Sequence, residues 1–373
     1  MTDSGHTKRE RSATGLGLEL APGWREVAPR RDAPGLLGEA DGRLIHLGGD
    51  FSLLHRFGAV GPVDCPLAVD PRTSTAYRYV CESRLMRQDF SCLRAYDLKT
   101  GAERTLLDLR LSEWVLWLLE WIEGKAGKPG QLFGLLAADL PGEDRVVIQH
   151  RLFALRPGEA RPRLRPVCRD AYRPLAFSRA RRELVFAGAE GIYLLGLKGE
   201  RRAALTAQEA PTGQGAAFDP SGAERLALGG DGIYLWDFGS GTCTRLTRQG
   251  RHPVWSADGS RIWYCESSAD LFELDLQTGE SRPLVRAQDN RYPEFWFARP
   301  VRQSGCGRFL AVSLSAKRLA GLAPRAEDAR QRERVYRYCH ETCLLDLERK
   351  ELWRRDGRLG NLRWVSGRAQ TAG

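Results

Sequence analysis

Five short windows of the chain gather side chains able to hold an anion: Tyr172-Arg173-Pro174, Gly213-Gln214-Gly215, Arg251-His252-Pro253, Arg291-Tyr292-Pro293 and Leu362-Arg363-Trp364, four of the five with arginine. A guanidinium offers paired N–H donors in a planar fork that matches a carboxylate or phosphate, and a neighbouring Tyr, Gln or His adds a further donor. Each window leads into a short apolar run. If those runs are strands that start around one axis, Tyr172, Arg173, Gln214, Arg251, His252, Arg291, Tyr292 and Arg363 come together as a ligand-binding mouth. Arginines so gathered repel one another unless an anion, or carboxylates such as Asp64 and Glu294, neutralise them. A second basic feature is Arg161-Pro162-Arg163-Leu164-Arg165-Pro166. Strand alternation puts Arg161, Arg163 and Arg165 on one side, and the prolines confine such a strand to an outer edge. The same residues suit a patch for an acidic protein or nucleic acid, or a solvated edge that blocks sheet-to-sheet pairing.

Covalent and metal chemistry find little footing. No Gly-x-Ser-x-Gly elbow and no Gly-x-x-x-x-Gly-Lys phosphate loop occurs, and Gly15-Leu16-Gly17 lacks both a third glycine and a preceding strand. His340-Glu341 has no second histidine at helical spacing. Cys339 and Cys343 flank His340, but no second ligand pair stands near in sequence, and zinc takes four ligands. The six histidines are few, although folding could bring His252 beside His340. No catalytic residue, cofactor or metal is expected. The nine cysteines, odd in number and irregular in spacing, read as reduced buried thiols.

The chain has 373 residues, 42% hydrophobic and 28% charged, so it can bury a substantial core while remaining polar. Its longest apolar run, Trp114 to Ile122, contains Glu120 and falls short of the roughly 20 residues a membrane helix needs. No secretory leader is evident at the polar N-terminus, so the cytosol is the expected compartment. The net charge of +10 permits an anionic partner. Only seven of its 57 basic residues are lysine, and the arginines are spread along the whole chain, which speaks for compositional bias over a nucleic-acid track.

The elements that would position these residues repeat. Phe177-Ser178, Phe218-Asp219-Pro220-Ser221-Gly222 and Trp255-Ser256-Ala257-Asp258-Gly259 open successive segments at spacings of 41 and 37 residues. Tyr193-Leu194-Leu195-Gly196, Tyr234-Leu235-Trp236-Asp237 and Phe272-Glu273-Leu274-Asp275 mark the same later point in each. Four short apolar or alternating runs per unit, broken by turn residues, read as four strands. Degenerate copies extend the pattern to six units, beginning near residues 63, 112, 169, 208, 251 and 289. The first strand of the second unit, Trp114 to Ile122, fits a strand or a helix, because Trp114, Trp117 and Trp121 also share a helix face. A seventh unit is split: Asn361 to Gly367 repeats the first-strand signature at the C-terminus, and Gly35 to Glu39, Arg43 to Gly48 and Ser52 to Phe57 supply the rest. Joining one C-terminal strand to three N-terminal strands closes a ring. The predicted fold is therefore all-β, a seven-bladed β-propeller with four antiparallel strands per blade.

Pro253-Val254-Trp255-Ser256-Ala257-Asp258-Gly259, with Leu274-Asp275-Leu276-Gln277-Thr278-Gly279-Glu280 downstream, resembles the WD40-like (PD40) repeats of the bacterial TolB-type β-propellers. The resemblance is sharp in the units from 208 and 251 and covers roughly a third of the chain. It implies a propeller and no single task, since relatives range from adaptors to peptidase lids and sugar-acid lyases. The expected function is a non-enzymatic cytosolic scaffold that binds a protein or peptide partner, acidic if the arginine mouth is used. Nucleic acid and membrane are not expected as partners. The alternative is a lyase-like enzyme acting on an anionic sugar acid at the same mouth.

Two segments stand outside the repeats. Residues 1–34 are rich in Gly, Pro, Arg and Glu and read as a mobile basic tail before a single domain over 35–373. Residues 316–334, rich in Ala, Arg and Glu, interrupt the sixth unit between its second and third strands and read as an inserted loop with a short exposed helix. Such a loop is either a partner contact or a solvated insertion.

Overall fold

The computed structural model describes residues 18–365 apart from 61–65, 85–86, 109–114, 125–128, 142–145, 162, 170, 189, 198–199, 207, 212, 267–269, 288–298, 305, 326–327 and 358. All regular structure in the described residues is β, in seven sheets that form the blades of a propeller. From the innermost strand outward, blade one is Leu67–Asp70, Thr75–Arg84, Arg87–Asp97 and Glu103–Asp108. Blade two is Val115–Ile122, Gln131–Pro141, Val146–Leu155 and Arg163–Arg169; blade three is Ala171–Ser178, Glu183–Gly188, Gly191–Gly196 and Arg201–Thr206. Blade four is Ala216–Phe218, Arg225–Gly229, Ile233–Asp237 and Thr242–Arg245; blade five is Arg251–Trp255, Arg261–Cys265, Leu271–Asp275 and Ser281–Ala287. Blade six is Arg299–Gln303, Phe309–Arg325, Asp328–Asp346 and Glu351–Asp356. Blade seven joins Gly360–Val365 to Gly35–Ala40, Arg43–Leu47 and Leu53–Val60, so the two ends of the ring meet in one sheet.

Turn chemistry explains why the repeats fold as blades. Between the third and fourth strands of blade five, the Asp275 carboxylate accepts the N–H groups of Gln277 at 2.9 Å and Thr278 at 3.0 Å, and Gly279 takes a φ of +72°. The same side-chain cap and left-handed glycine recur at Asp97 with Gly101 and at Asp237 with Gly241. Between the first and second strands, Asp70, Asp219 and Asp258 accept the N–H two residues on. The Ser256 hydroxyl and the Ser260 N–H hold the Asp258 carboxyl down at about 2.

Packing lies between blades. Seven buried clusters are described, one at each interface; the Trp255, Ile262 and Tyr264 face of blade five, for example, meets Ala227 and Ile233 of blade four. The smallest among the described residues is that between blades two and three, built on Leu135, Leu152, Leu184, Phe186 and Leu195. Trp236, Trp255 and Trp263 are buried in these layers, and Trp364 is half-buried.

One open sequence reading is settled and two change. Trp114 lies outside the described residues, and Val115–Ile122 is a strand. The tail read over 1–34 is structured from residue 18: Leu18–Leu20 adds antiparallel to the outer strand of blade five, and Arg25–Glu26 adds parallel to that of blade six. The reason is the unpaired edge that an outer strand presents, together with Leu18, Leu20 and Trp24, which pack on the cluster between those blades. The helix read within 316–334 is not formed. Phe309–Arg325 and Asp328–Asp346 make one long hairpin, paired from Phe309 with Asp346 to Arg325 with Asp328. Its register is set in the core by Leu310 opposite Leu345, so each further pair extends an existing ladder, whereas a short helix must bear its own nucleation cost.

Candidate anion-binding channel

The innermost strands of blades three, four, five, six, seven, one and two follow one another in contact around the axis. They run in one sense, so the channel has a leading mouth where they begin and a trailing mouth where they end.

At the leading mouth the structure brings Gln214, Arg251 and His252 together. The His252 N–H donates to the Gln214 carbonyl at 2.9 Å, the Gln214 N–H to the Gly229 carbonyl at 2.6 Å, and the Gly229 N–H to the Gly215 carbonyl at 2.9 Å. This closeness requires glycine: a Cβ on Gly215 would stand 3.0 Å from His252 Nδ1, and Gly215 itself has a φ of +97°. His252 adopts a left-handed φ of +51°, costly for a residue with a side chain, and the ladder slips between Arg251 and Val254. Arg251 is exposed, and its guanidinium has no hydrogen-bond or ion-pair partner among the described residues.

Arg363 behaves differently. It lies on the innermost strand of blade seven, yet Nη2 donates to Glu120 Oε1 of blade two at 3.1 Å, while Nε donates to the Leu67 carbonyl of blade one at 3.0 Å. Spanning from blade seven to blade two past blade one puts this contact on the channel side of the inner strands. Glu120 Oε2 accepts from Arg179, with Nη2 at 2.7 Å and Nε at 3.1 Å. Arg179 follows the innermost strand of blade three, at the trailing mouth. The Glu120 and Arg363 side chains are 11% and 13% exposed and that of Arg179 49%, so the network reaches from the channel wall to solvent. Two guanidiniums on one carboxylate leave a formal surplus of one positive charge. Burial, with Arg179 adding to it, pulls the Arg363 pKa down from its ordinary value, and Glu120 opposes the shift. Arg363 Nη1 is buried with no partner among the described residues.

Arg173 stands opposite Ala187 on the innermost strand of blade three, and Tyr172 sits where that ladder slips. Arg291, Tyr292, Asp64 and Glu294 lie outside the described residues. The basic edge is the outermost strand of blade two, with Arg163 opposite Ala154 and Arg165 opposite Leu152; Arg161 precedes it, and both Arg161 and Arg163 are exposed. Glu120 and Arg179 escaped the sequence reading. Their signals were a lone carboxylate inside an apolar strand and the basic turn Arg179-Ala180-Arg181-Arg182.

A cavity of about 670 Å³ lies between blades one and two, lined by Tyr77 and Trp121. Its Asp70 and Asp97 carboxylates are engaged in turn caps. Among the described residues no three of His, Cys, Asp and Glu converge as metal ligands, and no helix is long and apolar enough to cross a membrane. Cys92, Cys243, Cys265, Cys306 and Cys343 are free thiols, of which Cys265 and Cys343 are buried and Cys306 exposed. Burial pushes the Cys265 thiol up to about 12, leaving it protonated and inert.

No protein-family model matches this sequence, and no curated protein matches it. Among solved structures it is similar to one described as dihydro-heme d1 dehydrogenase NirN in complex with DHE. The identity is 14% and the TM-score 0.57, over 91% of this chain and 78% of that one. The likeness is one of fold, a β-propeller.

Proposed function

We propose that this chain is a non-enzymatic β-propeller, of the TolB-like WD40 repeat type, that binds a protein or peptide partner by an acidic segment presented to its channel. The carrying observation is the Arg179, Glu120 and Arg363 network, which among the described residues sets two guanidiniums against one carboxylate and brings Arg179 to solvent. Exposed Arg251 at the other mouth lets an extended acidic strand meet cations along the channel. A cytosolic setting accompanies this reading, supported by the free thiols. The Asp-capped, glycine-closed turns support the repeat kinship. No observation among the described residues favours the lyase-like alternative.

The test is fluorescence anisotropy with a labelled hexaglutamate peptide. Arg179→Glu and Arg251→Glu should each weaken binding about tenfold or more, the size of one lost charge-assisted hydrogen bond. Affinity unchanged from that of the native chain in both variants would remove the channel from consideration. A random-sequence oligonucleotide that outcompetes the peptide would instead move the reading to nucleic acid.

A further inference from the structure

Between blades two and three the smallest of the described clusters leaves a cavity of about 400 Å³, within the range of small-molecule sites. Its lining includes the apolar Phe133 and Leu152 of blade two and Leu197 of blade three, together with Arg163, Arg182, Arg202 and the Glu200 carboxylate. These arginines come from distant stretches of sequence, namely the Pro-flanked outer strand of blade two, the Arg179-Ala180-Arg181-Arg182 turn and the outer strand of blade three.

Their states differ. Arg202 lies 3.4 Å from Glu200 and 3.6 Å from Glu183, so two carboxylates already share its charge. Arg181, which also lines the cavity, donates to Glu183 at 2.8 Å. Arg182 and Arg163 have no hydrogen-bond or ion-pair partner among the described residues, and Arg182 is half-buried. Arg182 is moreover held at a φ of +58°, its N–H donating to the Ser178 carbonyl at 2.8 Å. A half-buried guanidinium with no counter-ion among the described residues, in a partly apolar cleft that a second such guanidinium also lines, is an arrangement that an anionic ligand completes.

We propose that this cleft is a second ligand site, separate from the channel, for a small molecule that carries a phosphate monoester on an apolar body. Two unneutralised guanidiniums match the charge of a phosphate dianion better than that of a single carboxylate. The apolar lining of Phe133, Leu152 and Leu197 accommodates the body and sets it apart from free phosphate. The site does not rest on the channel reading.

Phenyl phosphate, inorganic phosphate and benzoate are titrated separately into the full chain and followed by calorimetry. Phenyl phosphate should bind at least tenfold tighter than either of the others. Arg182→Asn, which suits the left-handed backbone, and Arg163→Glu at an exposed position should each weaken it about tenfold while thermal unfolding stays unchanged. Unchanged affinity in both variants would overturn the proposal. So would inorganic phosphate binding as tightly as phenyl phosphate, which would leave the apolar lining without a role, or benzoate binding as tightly, which would exclude phosphate as the preferred head group.

Discussion

Arg78 and Glu39 are both fully buried, with Nε 2.7 Å from Oε1, and they join the second strand of blade one to the second strand of blade seven. Arg78 Nη2 also donates to the Gly42 carbonyl at 3.1 Å. Removing one partner strands a charge away from water, so Glu39→Ala should cost about 3–5 kcal/mol in urea unfolding, whereas the double change Glu39→Leu with Arg78→Met should cost far less. His150 gives a pH test. Desolvation lowers its pKa from 6.5 to about 4, so it stays neutral when folded while the unfolded chain already takes up a proton. Stability from this group is therefore lost as pH falls from 6.5 toward 4, approaching about 3 kcal/mol, and His150→Phe should flatten that part of the urea-midpoint profile. None of these three placements was legible in the sequence. A Glu or His inside a β-patterned run reads alike whether it faces solvent or a neighbouring blade, and only the neighbour decides.

Turns and strand starts were the legible elements, because their signals are local. Asp275 caps Gln277 and Thr278 within its own turn, and Gly279 is needed for a φ of +72°. Gly279→Ala should therefore cost about 1 kcal/mol in thermal unfolding with the fold retained. The 316–334 segment was misread because Ala, Arg and Glu favour helix in isolation, while here it grows from a hairpin whose register is fixed elsewhere. Leu314 and Glu341, at the ring end of that hairpin, are buried. Replacing residues 317–338 by Asn-Gly, which closes the ladder at Ala316 opposite Cys339, should leave the melting temperature almost unchanged. A large drop would show that the extension supports the ring.

The ring itself depends on one strand. Gly360–Val365 pairs with Gly35–Ala40, and Leu359, Leu362 and Val365 are buried against blades six, seven and one. A chain truncated after residue 358 opens an edge and uncovers two inter-blade clusters, so it should lose cooperative urea unfolding and aggregate; a monodisperse chain with an unchanged midpoint would contradict closure as the source of stability. By itself the sequence determined the blade count, the strand order and the split seventh blade, since strand period, turn caps and repeat spacing act within a few residues. The partnering of Arg363 with Glu120 and Arg179, the cleft between blades two and three and the strap of residues 18–26 were decided only by the tertiary structure. Each joins residues far apart in the chain, and a charge's partner or a sheet's covered edge is set by distance in space.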